Sequence, residues 1–166
     1  MTVLLDTTVA STAEMGALGA RLAAVLRAGD LVVLTGPLGA GKTTLTRGLG
    51  AALGARGQVS SPTFVLARTH PTTAGPDLVH VDAYRLSDPV ELDDLDLDWE
   101  ASIVVVEWGR GMVDDIGDSL LDVEIVRATG ADAAAADVDL DPDDVPDEPR
   151  RVVVTGTGPR WVGAAL

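Results

Sequence analysis

Apolar and polar positions divide the chain into a short series of elements. Val3-Leu4-Leu5 opens it as a strand suited to a sheet edge. Over residues 11–27, Leu18, Leu22, Val25 and Leu26 form one apolar stripe at helical spacing. Ser11 and Glu14 have capping-box spacing, and Gly29 stands where such a helix would end. Asp30-Leu31-Val32-Val33-Leu34-Thr35 reads as a short buried strand, and residues 43–53 read as a helix carrying Leu45, Leu49, Ala52 and Leu53 on one side. Val65-Leu66-Ala67-Arg68 and Leu78-Val79-His80-Val81-Asp82 read as strands joined by a turn over residues 71–76, which predicts a hairpin. Residues 87–97 read as a short acidic helix capped by Ser87, with Pro89 in its first turn. Ile103-Val104-Val105-Val106 shows no alternation and predicts a central strand buried on both faces. Residues 121–126 alternate, as a half-exposed strand does. Arg151-Val152-Val153-Val154-Thr155 is a last strand, and residues 161–166 read as a short terminal helix.

Strands of both kinds with few helices predict an α/β fold, and a G-x-x-x-x-G-K-T run over residues 36–43, between a strand and a helix, makes it a three-layer sandwich of the P-loop NTPase type whose central sheet is mixed and partly antiparallel. The 166 residues suit one domain spanning 1–166. Aromatic residues are only 3 %, so the core must be built from Val, Leu, Ile and Ala. Cysteine is absent, which excludes disulfides and thiolate metal sites and fits a reducing compartment. No apolar run is long enough to span a membrane, and the first residues lack the pattern of a signal peptide; the expected location is the cytoplasm. A net charge of −14 repels phosphate backbones and argues against direct nucleic-acid binding. Eight of the acids fall within residues 131–149, a stretch of Ala, Asp and Pro that reads as a disordered acidic loop without chemistry of its own.

The chemistry centres on Gly36-Pro37-Leu38-Gly39-Ala40-Gly41-Lys42-Thr43, which reads G-x-x-x-x-G-K-T between a strand and a helix. Glycines let successive backbone N–H groups converge on one anion, and the helix N-terminus adds partial positive charge there. Lys42 would reach the outer phosphates and the Thr43 hydroxyl would hold Mg²⁺. Eleven of the twelve basic residues are arginine, and the sole lysine stands at the position where a compact ammonium suits phosphate.

Hydrolysis also needs a carboxylate near the metal and a group to position water. Glu107 closes the buried valine run and is the candidate metal ligand, against a plain strand-end carboxylate in solvent. Asp82 ends its strand and could act on the metal or on the water, against a surface turn residue. His80 would share a face with Asp82, and a structural, hydrogen-bonded role is its default. Thr63, in Ser61-Pro62-Thr63-Phe64, stands where a segment sensing the γ-phosphate could sit, against a loop whose Pro62 merely starts a strand, which the residues by themselves favour. Packing is the default for Trp108, and Arg85 and Arg110 are open between phosphate contacts and exposed ion pairs.

Taken in order, the phosphate loop through Thr44, Ser61-Pro62-Thr63-Phe64, His80-Val81-Asp82-Ala83-Tyr84-Arg85-Leu86 and Val106-Glu107-Trp108 resemble the TsaE family, formerly YjeE. These are P-loop ATPases of bacterial threonylcarbamoyladenosine modification of tRNA. The resemblance covers roughly residues 11–128. It implies ATP and Mg²⁺ as ligands. Gly36, Gly39, Ala40, Gly41, Lys42, Thr43, Thr44 and Thr63 would form the nucleotide-binding set, with Thr43 and Glu107 on the metal and Asp82 needed for hydrolysis. It implies TsaB and TsaD as partner subunits, with TsaD transferring the threonylcarbamoyl group, the other subunits holding the tRNA, and ATP hydrolysis resetting their complex between turnovers. The chain departs from the family pattern in the acidic stretch before its last strand and in Gly109-Arg110, where many members have a proline.

Three other functions compete. A stand-alone small-molecule kinase would use the same loop but needs a lid and an acceptor pocket. A guanine-specific switch usually reads its base with N-K-x-D, and no second lysine exists to supply it. A binding module that never hydrolyses would have little use for Glu107 and Asp82.

Overall fold

A computed structural model of the chain describes residues 1–62, 64–73, 75–127 and 148–166. Seven strands form one sheet: β1 (Thr2–Val9), β2 (Leu31–Thr35), β3 (Ala67–His70), β4 (Leu78–Asp82), β5 (Ile103–Glu107), β6 (Leu120–Arg127) and β7 (Arg150–Thr157). Their order is β1-β7-β6-β2-β5-β4-β3. The inner strands β6, β2, β5 and β4 run parallel to one another, while β3 at one edge and β7 and β1 at the other pair antiparallel. The sheet is therefore mixed, as the sequence predicts; β2 lies at its centre, and β5, paired between β2 and β4, is buried along its whole length.

Helices α1 (Thr12–Ala23) and α2 (Lys42–Leu53) cover one face. Met15, Leu18 and Leu22 of α1 and Leu45, Leu49 and Leu53 of α2 form a core with Val32, Leu34, Leu78, Ile103 and Val105 of the sheet. The short helix α3 (Pro89–Asp93) and the segments around it cover the other face, where Leu92 and Val113 pack on Leu31, Val33, Val79, Val81, Val104 and Val106. Glycine sets the spacing of α1 and α2. A Cβ on Gly48 would collide with the Gly16 carbonyl, and one on Gly19 with the Leu45 carbonyl. Among the described residues no helix is long and apolar enough to cross a membrane.

Several predicted boundaries shift, each for a local reason. Ser11 caps α1 by accepting from the Glu14 amide at 3.1 Å, as expected. The helix nonetheless ends at Ala23, before Gly29. The Arg27 amide donates to Asp30 Oδ2 at 2.9 Å, a side-chain partner that draws the chain off the helical path. β1 runs on through Asp6, Thr7 and Thr8, whose polarity hides a strand that needs only one neighbour. β3 starts at Ala67 because Leu66 is left-handed, with φ 65°. Asp88, not Ser87, caps α3, and the helix closes after five residues. A terminal helix over residues 161–166 does not form: a single 3₁₀ turn (Pro159–Trp161) buries the indole, and Gly163 then takes φ +74°. Most of the predicted acidic loop, residues 131–147, and Thr63 lie outside the described residues.

Candidate nucleotide site

Three parallel strands deliver the site to one edge of the sheet. In register, Leu34 of β2 lies beside Glu107 of β5, and Glu107 lies beside Asp82 of β4. On the face covered by α1 and α2, the row Ile103, Val105, Glu107 turns from apolar to acidic at its last member. The row Leu78, His80, Asp82 likewise ends in an acid and turns polar one step earlier, at His80. Polar groups thus gather at the carboxyl ends of parallel strands, where open α/β sheets bind ligands.

The loop from Gly36 to Gly41 leaves β2 at the same edge. Gly39 and Gly41 have φ +73° and +109°, and a Cβ on Gly36 would stand 2.8 Å from the Ile125 carbonyl oxygen. Ala40 is fully buried, and its N–H holds the turn by donating a hydrogen bond to the Pro37 carbonyl at 3.0 Å. Gly41 caps α2 without a side chain to accept from its first amides, and no acid stands in its first turn. The helix N-terminus is therefore not neutralised by a carboxylate of its own first turn, the condition under which it favours an anion.

Lys42 is 5 % exposed. Its ammonium donates to the carbonyls of Gly36 at 2.8 Å and Pro37 at 3.0 Å and lies 4.1 Å from the centre of the Trp108 ring. Burial holds its pKa below the ordinary 10.5, with Glu107 and then Asp82 pulling the other way. Trp108, taken by default as packing, is thus a contact of the site. Its backbone is left-handed with φ 60°, and its ring meets that of Tyr84 at 5.2 Å.

The Thr43 hydroxyl donates to Glu107 Oε1 at 3.0 Å. His80 Nε2 meets the same oxygen at 2.8 Å. Glu107 is 4 % exposed, so the alternative of a strand-end carboxylate in solvent does not hold. Asp82 is also buried, not a surface turn residue, and its Oδ1 accepts the Tyr84 amide at 2.9 Å. Lys42, Thr43, Asp82 and Glu107 are brought together; Thr44 follows on α2, half-buried. Arg110 pairs with Asp122 at 2.7 Å and Glu124 at 3.4 Å, and the Arg85 guanidinium lies 5.0 Å from the centre of the Phe64 ring. Sequence reasoning gave Arg150 no role, yet this buried residue brings Nη1 to 3.3 Å from where a Cβ on Gly41 would sit. Only the β7 register puts it there.

A family model described as threonylcarbamoyl adenosine biosynthesis protein TsaE matches residues 9–134. The chain belongs to the TsaE family. The tRNA threonylcarbamoyladenosine biosynthesis protein TsaE of Streptomyces coelicolor is 55 % identical over 154 residues, spanning 90 % of this chain and 95 % of that protein. The TsaE of Bacillus subtilis is 36 % identical over 118 residues, 69 % of this chain and 73 % of that one. The crystal structure of YdiB from Bacillus subtilis superposes with a TM-score of 0.72 at 26 % identity, covering 98 % of this chain and 93 % of that one. The Streptomyces coelicolor and Bacillus subtilis TsaE relatives carry tRNA threonylcarbamoyladenosine biosynthesis in their names.

Among the described residues no group of three or more His, Cys, Asp or Glu could hold a metal by itself. A hydroxyl and a carboxylate oxygen joined by a hydrogen bond are hard donors of the kind Mg²⁺ takes when substrate phosphates complete its shell. The residues present fit a metal–nucleotide pair.

Proposed function

We propose that the chain is an Mg²⁺-dependent ATPase, weak alone, whose hydrolysis resets the TsaB–TsaD complex between rounds of tRNA modification. The observation that carries this reading is the Thr43–Glu107 hydrogen bond, which ties the phosphate loop to the acid that ends β5. Loop amides and Lys42 would grip the triphosphate, and Trp108 would cover the ammonium from the solvent side. Thr43 and Glu107 would hold Mg²⁺, which when bound neutralises charge on the β- and γ-phosphates. Asp82, buried beside Glu107 in register, stands where a carboxylate can orient the attacking water. The acidic surface leaves tRNA to the partner subunits.

The test is ATP hydrolysis by the purified chain, alone and with TsaB and TsaD. Slow turnover that rises with the pair, together with multiple rounds of tRNA modification only when ATP is hydrolysable, is expected. Phosphate transfer to a small acceptor, indifferent to the pair, would replace this reading with a kinase.

A further inference from the structure

His80 is the one histidine in the site, and its position is odd for a core filler. It is fully buried on β4, yet its Nδ1 has no hydrogen-bond partner among the described residues. A sealed ring nitrogen without a partner costs free energy, and Leu or Val in the same row would not carry that cost. The ring's remaining nitrogen, Nε2, makes a bond of 2.8 Å to Glu107 Oε1. A carboxylate only accepts, so the proton of that bond sits on Nε2.

We propose that His80 is a positioning residue that locks the Glu107 side chain for magnesium binding. The inference rests on Glu107 holding the ion, as argued above. Glutamate has three rotatable bonds, and a ligand free to sample them loses affinity with each one left loose. Two donors converge on Oε1, the Thr43 hydroxyl and His80 Nε2, which leaves Oε2 the oxygen without either donor. Thr43 must turn its own oxygen to the metal. His80 sits behind the carboxylate on β4, which pairs directly with β5, keeps its bond in either state and so holds the acid in register with the loop.

Side-chain shape gives the test. The amide nitrogen of glutamine falls near Nε2 of histidine, and that of asparagine falls near Nδ1. The readout is the ratio of affinities for a non-hydrolysable ATP analogue with and without Mg²⁺, measured by calorimetry on the full chain. His80→Ala and His80→Asn should lower that ratio by about tenfold or more, and His80→Gln should stay within about threefold of the unmodified chain. With only two histidines in the chain, ¹⁵N spectra of the ring nitrogens supply a second readout that needs no ligand and no variant. A protonated Nε2 on His80 is expected. A proton on Nδ1 with Nε2 bare would overturn the proposal even if the alanine variant fails to fold. So would equal ratios for the Asn and Gln variants. An unmodified chain with no Mg²⁺ dependence at all would sink the ATPase reading itself; a dependent chain whose His80 variants match it would sink this inference alone.

Discussion

Thr43 and Glu107 stand 64 residues apart in the chain and share a hydrogen bond of 3.0 Å. The bond joins the first turn of α2 to the end of β5, so it depends on the register of β5 with β2, the strand that leads into the loop before α2. Removing the acid should hurt chemistry more than folding. Glu107→Ala is expected to cut Mg²⁺-dependent turnover on the order of a hundredfold. It should change stability by less than about 2 kcal/mol, because the loss of partners for Thr43 and His80 is offset by removing a buried charge. Steady-state kinetics beside a urea melt separates the two; an unfolded variant on circular dichroism would make the residue structural.

Lys42 gives a pH dependence with a definite sign. Burial lowers its folded pKa below 10.5, so on the alkaline side the free protein has lost part of its ammonium charge. Bound phosphates would restore it. Nucleotide binding on the alkaline side, below 10.5, should therefore take up protons, seen as a dependence of calorimetric heat on buffer ionisation enthalpy, and Lys42→Met should abolish the uptake. Stability follows the same sign: between the lowered value and 10.5 the unfolded chain binds more protons, so raising the pH through that window stabilises the fold.

The α1–α2 interface offers a stability test away from the site. A Cβ on Gly48 would run into the Gly16 backbone, which cannot yield as a flexible side chain would. Gly48→Ala should cost about 3 kcal/mol from overpacking, against a gain of about 1 kcal/mol in helix propensity. Thermal melting should show a clear loss. Gly39→Ala, where nothing lies within 4 Å, should instead lose stability only through its φ of +73°.

The long connection before β7 should be dispensable for folding. Arg127 pairs in register with Arg150, and its Nη2 meets Glu148 Oε2 at 3.1 Å, so the flanks of the connection are already adjacent. Replacing residues 131–146 with a Gly/Ser linker of about four residues should leave the melting temperature level or slightly higher, since closing a shorter loop costs less entropy. ATP turnover of the chain alone should persist. Loss of stimulation by the partner pair only would make the segment a contact site.

The sequence carried the phosphate loop between strand and helix and the buried strand β5, because local spacing encodes them: a G-x-x-x-x-G-K-T, and an unbroken β-branched run ending in Glu107. What it could not carry depends on register and on side chains reaching across. His80 read as a structural residue because Glu107 comes beside it only when β4 pairs with β5. Trp108 read as packing because its left-handed backbone, which swings the indole over Lys42, has no signature in composition. The early end of α1 turned on Asp30 bonding the Arg27 amide, a side-chain competition that periodicity does not see. Edge strand β1 was cut short for the opposite reason: a polar run pairs well where only one neighbour is needed.

The solitary lysine has a practical corollary. Amine-directed acylating reagents find two targets at most, the amino terminus and the ammonium sealed between two loop carbonyls and an indole. Labelling of the ε-amine, followed by mass spectrometry, therefore becomes a native occupancy gauge: it reports how often the indole lifts away, with no engineered probe and no background from other side chains.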